Sequence, residues 1–176
     1  MKLGVLSDTH DKLENAAAAL DYLAAQNVEL LAHCGDWKSL STLHSIAERA
    51  HTLRLPLLGV LGNNDLDTTG FLALVQSLPG DMQLQSGVLS YVCQGTRIAV
   101  YHGHHKPTLN RLRQSQDWNI LLLGHTHKPL ITQEPGRLIV NPGSTAFAIP
   151  RSRDWQPTVA LVDTERIQAS IEVVPL

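Results

Sequence analysis

Five short apolar runs in this chain each stop at a cluster of residues suited to binding metal ions. Leu3-Gly4-Val5-Leu6 stops at Ser7-Asp8-Thr9-His10, and Val28 to Ala32 stops at His33-Cys34-Gly35-Asp36. Leu57 to Leu61 runs into Gly62-Asn63-Asn64-Asp65, Arg97 to Tyr101 into His102-Gly103-His104-His105, and Ile120 to Leu123 into Gly124-His125-Thr126-His127. Runs of this length and composition read as buried strands. In open α/β sheets, sites form beyond the carboxyl ends of the strands. A fold that aligns these five strands brings clusters scattered between positions 8 and 127 to one edge.

The remaining pattern fits such a fold. Asp11 stands three residues before Glu14, which suggests a capping box, and Leu13, Ala16, Ala17, Leu20, Leu23 and Ala24 follow at helical spacing. Ser39 to Ala50 reads as a helix, Phe71 to Leu78 as a short one ended by Pro79-Gly80, and another starts near Pro107, a good first-turn residue. From Pro129 onward helical periodicity is lost. Ile131, Leu138 to Val140, Thr158 to Val162 and Ile167 to Val174 read as strands between turn residues, and Val88 to Cys93 joins them. Alternating strands and helices followed by a strand-rich half predict an α/β domain with two sheets packed face to face. The 176 residues suit one domain with its own core, and no repeat or long Gly/Ser linker divides them.

Composition narrows the function. A net charge of -2 and 5% aromatic residues argue against a nucleic-acid surface reached by bulk electrostatics or a base-stacking platform. No stretch is long enough to span a bilayer, and Leu3 to Leu6 is too short for a signal-peptide core, so a cytoplasmic location is expected. Cys34 and Cys93 form no C-x-x-C motif, and Cys34, behind an apolar run, reads as a small buried hydrophobe.

The clusters themselves carry the chemistry. In an extended segment residues i and i+2 share a side, so Asp8 with His10, and His125 with His127, are each expected to present two ligands to one pocket. Glycines 35, 62, 103 and 124 allow the backbone to turn close to an ion. Carboxylate, amide oxygen and imidazole together suit Mn²⁺, Fe²⁺ or Zn²⁺ and disfavour Ca²⁺. Two Asp, one Asn and four His exceed what one ion needs. They suit two ions about 3.5–4 Å apart that share a carboxylate.

The order Asp8-x-His10, Gly35-Asp36, Gly62-Asn63-x-Asp65, His102-Gly103-His104 and Gly124-His125-x-His127 resembles the calcineurin-like metallophosphoesterase superfamily. The short length and the Asn141-Pro142-Gly143-Ser144 segment are similar to its small single-domain prokaryotic phosphodiesterases without a cap domain. The resemblance implies a four-layer αββα sandwich of two mixed sheets flanked by helices, a single domain over 1–176 and two divalent ions, Mn²⁺ foremost, with Fe²⁺, Ni²⁺ or Zn²⁺ as alternatives. It implies that Asp8, His10 and His127 hold one ion, that Asn63, His102 and His125 hold the other, and that Asp36 bridges them. The activity implied is hydrolysis of a small phosphate ester, foremost a phosphodiester, by in-line attack of a metal-bridging hydroxide. A cyclic-nucleotide phosphodiesterase, a phosphomonoesterase and a non-catalytic scaffold are the alternatives. No nucleic-acid or membrane partner is expected, and a homodimer is compatible with the small relatives.

One position departs from the family pattern. Many relatives carry His where this chain has Asn64, and an amide is no useful proton donor. Asn64, Asp65 and His104 are the expected substrate-side residues. His33 and His105 read as structural, His44 and His51 as solvated, Asp11 as a helix cap, and Asn141 and Ser144 as backbone supports of the site. Arg111, Arg113, Arg151 and Arg153 read as surface charges within possible reach of a substrate.

Overall fold

The structure is a computed structural model that describes residues 1–147 and 155–176. Arg151 and Arg153 lie outside the described residues. The first half builds β1 (Lys2–Leu6), α1 (Leu13–Ala25), β2 (Leu30–His33), α2 (Leu40–Thr52), β3 (Leu57–Val60), α3 (Thr68–Val75) and β4 (Met82–Gln85). Then follow β5 (Leu89–Cys93), β6 (Thr96–Val100), α4 (Lys106–Gln114), β7 (Ile120–Leu122), β8 (Leu130–Glu134), β9 (Arg137–Asn141), β10 (Thr158–Asp163) and β11 (Gln168–Val173).

The strands form two mixed sheets, one ordered β11-β10-β1-β2-β3-β4 and the other β5-β6-β7-β9-β8. In the first, β1 to β4 run parallel and β10 and β11 add an antiparallel margin. In the second, β6, β7 and β9 run parallel between antiparallel β5 and β8.

Side-chain alternation fixes the layers. Leu3, Val5, Leu30, Ala32, Leu58 and Val60 point from the first sheet toward Ile98, Val100, Ile120, Leu122, Leu138 and Val140 of the second. The opposite faces of β1 to β3 place Leu6, Leu31 and Leu57 against α1 and α2. Ala99, Tyr101, Leu121, Leu123 and Ile139 form the outer face of the second sheet, with Leu109 and Leu112 of α4 packed on it. The result is the four-layer αββα sandwich. Strands buried on both faces have no polar side to show, which is why the central ones are continuous apolar runs rather than alternating ones.

One local expectation is corrected. Asp11 does not cap α1: Lys12 holds that position, and no side chain there closes a capping bond. The Asp11 carboxylate instead accepts hydrogen bonds from Ser39 Oγ at 2.5 Å and Thr42 Oγ1 at 2.7 Å, tying the loop after β1 to the start of α2. Ser39 is the N-cap of α2 and accepts from the Thr42 N–H. β4 was hidden in the sequence because it is a sheet edge: in Met82-Gln83-Leu84-Gln85 only Leu84 is buried.

Candidate metal centre

The carboxyl ends of β1, β2 and β3 from one sheet, and of β6 and β7 from the other, meet along one edge of the sandwich. Main-chain bonds lock the loops there: Asp8 N–H donates to the Gly35 carbonyl, His10 N–H to that of Asp36, and Gly124 N–H to that of His102. His125 N–H donates to Asp8 Oδ2 at 3.0 Å, joining the two sheets through a carboxylate. Gly124 packs tightly against the ends of β1 and β2. A Cβ there would strike Ser7 Oγ and stand 2.8 Å from the Cys34 carbonyl oxygen, so only glycine fits.

At five of the seven expected ligand positions the backbone is not extended. Asp8, His10, Asp36, His125 and His127 all have left-handed φ angles, between 42° and 70°. Asp8 with His10, and His125 with His127, therefore do not share one side of an extended segment: β1 and β7 each lead into left-handed turns, which bring Asp8, His10 and His127 together and leave His125 exposed. Such conformations cost energy and gather at functional sites. Asp and His tolerate them better than most residues.

Asp8, His10, Asp36 and His127 each offer a ligand atom, and these atoms lie within 4.8 Å of one another. Asp8 Oδ2 accepts from Ser7 Oγ at 2.6 Å. Asp8 Oδ1, fully buried, has no hydrogen-bond partner; His127 Nε2 lies 3.2 Å away without hydrogen-bond geometry. A buried carboxylate oxygen left unsatisfied is costly unless a cation meets it.

Two imidazoles are oriented the way metal ligands are. Nδ1 of His102 donates to the Cys34 carbonyl at 2.7 Å, and Nδ1 of His127 to the Phe147 carbonyl at 2.7 Å. Each leaves Nε2 facing the cluster, and a carbonyl on the far nitrogen fixes both tautomer and ring plane. His102 Nε2 lies 3.1 Å from Asn63 Oδ1 and 3.4 Å from Asp36 Oδ1. His10 Nε2 lies 3.5 Å from Asp36 Oδ2, so the two oxygens of Asp36 face the two sides of the cluster. His125 is exposed, its ring 5.1 Å from that of His102. Oxygen and imidazole donors around an orphaned carboxylate oxygen fit a divalent transition-metal ion.

Charge follows this geometry. Burial works against ionisation of Asp36, but hydrogen bonding and charge from His102 and two N–H bonds from Asn64 outweigh it and hold the carboxyl well below its usual range. Burial also opposes protonation of His102 and His127, yet Asp36 and Asp8 raise both above the ordinary imidazole value. Burial prevails at His10, His104 and His125, which are lowered. Protons and a cation thus compete for the same Nε2 lone pairs.

The three expected substrate-side residues differ in placement. Asn64 gives its N–H to Asp36 Oδ1 at 2.9 Å and its side-chain amide to Asp36 Oδ2 at 2.7 Å. Asp65 is buried, and main-chain groups take its oxygens: Asp36 and Gly62 N–H donate to Oδ2, Lys38 N–H to Oδ1. It clamps the β3 loop to the β2 loop. Burial raises its carboxyl to about 6 despite these donors. His104 is exposed, its ring 5.5 Å from that of His102 and 6.4 Å from that of His125.

Around them, His33 is fully buried, stacked on Trp37 at 3.5 Å, and its Nδ1 accepts the Gly35 N–H. His105 precedes α4 and pairs with Thr108 Oγ1, while His44, His51, Arg111 and Arg113 are exposed. Asn141 donates to the Gly124 carbonyl at 2.7 Å, and Ser144 Oγ donates to the Asp8 carbonyl at 2.9 Å. Sequence reasoning missed Ser7, which holds Asp8, and Phe147, whose ring lies 5.0 Å from His10 and 4.7 Å from His127. Neither stands at a spacing that signals its contact.

Comparison with known proteins agrees with this geometry. A family model described as the calcineurin-like phosphoesterase superfamily domain matches residues 1–166. A phosphodiesterase of Methanocaldococcus jannaschii is 27% identical over 94% of this chain and 95% of its own length. A probable metallophosphoesterase of Methanothermobacter thermautotrophicus is 28% identical over 97% of this chain and 91% of its own. The solved structure of an archaeal phosphodiesterase superposes with a TM-score of 0.82 at 26% identity, covering 98% of this chain and 99% of that one.

Proposed function

The chain belongs to the calcineurin-like phosphoesterase superfamily, and from that premise we propose that it is a metal-dependent phosphodiesterase with a two-ion centre. The observation that carries this is the set Asp8, His10, Asp36 and His127, buried except for the half-buried His10, with an unsatisfied Asp8 oxygen among donors within 4.8 Å. The 27% identity to a named phosphodiesterase over nearly the whole chain favours diesters.

Asp8, His10 and His127 would hold one ion, Asn63, His102 and His125 the other, and Asp36 both. Bound there, the ions supply Lewis-acid charge and the acidified water needed for in-line attack on phosphorus. The chain's own residues do the rest. The Cys34 and Phe147 carbonyls keep the Nε2 lone pairs of His102 and His127 inward. Asp65 holds the loops that carry Asp36 and Asn63. Asn64 orients the Asp36 carboxylate with two N–H groups and carries no acidic proton. His104, exposed with its ring 5.5 Å from that of His102 and 6.4 Å from that of His125, would be the alternative proton source for a leaving group, since Asn64 has none. The complete donor set weighs against a non-catalytic scaffold.

We read the chain as one domain without a cap, cytoplasmic, loaded with Mn²⁺, acting on small esters and compatible with a homodimer. No helix among the described residues is long and apolar enough to cross a membrane. The test is metal-stripped protein reconstituted with Mn²⁺, Fe²⁺, Ni²⁺ or Zn²⁺ and assayed on phosphomonoesters, linear phosphodiesters and cyclic nucleotides. Fastest turnover of linear diesters is expected. Protein that takes up no metal, or hydrolyses none of the three classes, refutes the reading.

A further inference from the structure

We propose that Phe147 is a positioning residue that sets the metal affinity of one half of the centre, that of Asp8, His10 and His127, and leaves the other half independent. This rests on the two-ion reading above. The loop after β9 reaches all three ligands of that half. Ser144 Oγ donates to the Asp8 carbonyl and itself accepts the N–H groups of Ala146 at 3.0 Å and Phe147 at 3.2 Å. One hydroxyl thus ties the main chain of Asp8 to the main chain of Phe147. The Phe147 carbonyl then accepts the Nδ1–H hydrogen bond of His127. The Phe147 ring closes a triangle with the two imidazoles, with centroids 5.1 Å apart for His10–His127, 5.0 Å for His10–Phe147 and 4.7 Å for His127–Phe147.

The other half is held differently. His102 leans on the Cys34 carbonyl, immediately after β2 and buried between the sheets, so strand pairing fixes it. The orientation of His127 depends instead on where a loop residue puts its carbonyl and ring. Partners behind a metal-bound histidine commonly matter about 10–100-fold in affinity. Because Phe147 touches two ligands of the same half, that loss falls on one ion.

The test is calorimetric titration of Mn²⁺ into the metal-stripped full chain, comparing wild type with Phe147→Ala, Phe147→Leu and Phe147→Tyr. Near-UV circular dichroism checks that each variant is folded, and ¹⁵N imidazole shifts report the His127 tautomer. We expect two classes of site in wild type. In Phe147→Ala one class weakens about 10–100-fold while the other is unchanged, and the His127 ring nitrogens lose their distinct donor and acceptor signals, because the main-chain carbonyl that remains is no longer held against the imidazole by the Phe147 ring. Phe147→Tyr keeps both classes, and Phe147→Leu falls between. Two sites that weaken together in folded Phe147→Ala, or neither weakening, overturn the proposal while leaving the two-ion reading intact. A wild type that binds no Mn²⁺ overturns both.

Discussion

The Nε2 atoms of His10 and His127 face each other across 3.2 Å. Two imidazole nitrogens at that distance share a proton or a cation, since two bare lone pairs would repel. Burial lowers His10, whereas the Asp8 carboxylate outweighs burial at His127 and raises it.

Metal uptake must therefore expel protons. His102 and His127 are both raised above the ordinary 6.5, so near that pH the metal-free protein carries protons that a cation must displace. Calorimetric titration of Mn²⁺ in buffers of different ionisation enthalpy should show release of about one to two protons per protein, with apparent affinity falling as pH is lowered. No proton release near neutral pH would contradict this charge assignment.

Asp36 turns one oxygen toward His102 and the other toward His10. Asp36→Asn should lose both ions and lower activity by about 10³-fold or more, the scale of several kcal/mol of Lewis-acid stabilisation. Asp8→Asn should mainly weaken one ion. Metal content by mass spectrometry, read beside turnover, separates the two outcomes.

Asn64 spends its side-chain amide on Asp36 and offers no acidic proton. General-acid help is worth about 10²–10⁴-fold, and its loss is felt most by poor leaving groups. Rates across aryl and alkyl phosphodiesters should depend steeply on leaving-group pKa, and Asn64→His should raise rates on alkyl esters more than on aryl ones. A flat series limited by chemistry would show that another acid serves, and a selective loss on alkyl esters in His104→Ala would identify it.

His33, fully buried, is held neutral by its burial, well below its ordinary 6.5. Below that value the unfolded chain binds a proton that the folded chain refuses. The contribution of His33 to stability is thus present above pH 6.5 and lost as pH falls, by up to about 1.4 kcal/mol per pH unit. Thermal unfolding of metal-free wild type and His33→Gln between about pH 7 and 5 should show the variant losing less stability than wild type over that range. Comparing the two proteins separates His33 from the raised groups Asp65, His102 and His127, whose contributions run the other way.

Much of this architecture was legible because strands buried on both faces leave long apolar runs, and each run stopped where its chemistry began. β4 was not, because an edge strand shows Gln83 and Gln85 to solvent and loses its apolar signature. Residue types at strand ends pointed to Asp8, His10, Asp36 and His127 as ligands. Their backbone geometry was hidden, because a left-handed turn in Asp or His has no spacing of its own. Phe147 was hidden for a related reason: its contacts depend on how the loop after β9 folds back over β1 and β7. The same applies to Asp11, whose partners Ser39 and Thr42 lie in a different βα unit.

Left-handed backbone at the expected ligand positions sets stability and chemistry against each other. Asp8, His10, Asp36, His125 and His127 hold conformations that glycine would adopt at no steric cost, whereas each non-glycine residue there costs on the order of 1 kcal/mol. Asp8→Gly or His127→Gly relieves that backbone cost while removing a donor. In a copy of this gene released from selection for hydrolysis, function would no longer oppose that backbone cost, so these positions would drift first while the sandwich, held by its own core, endured.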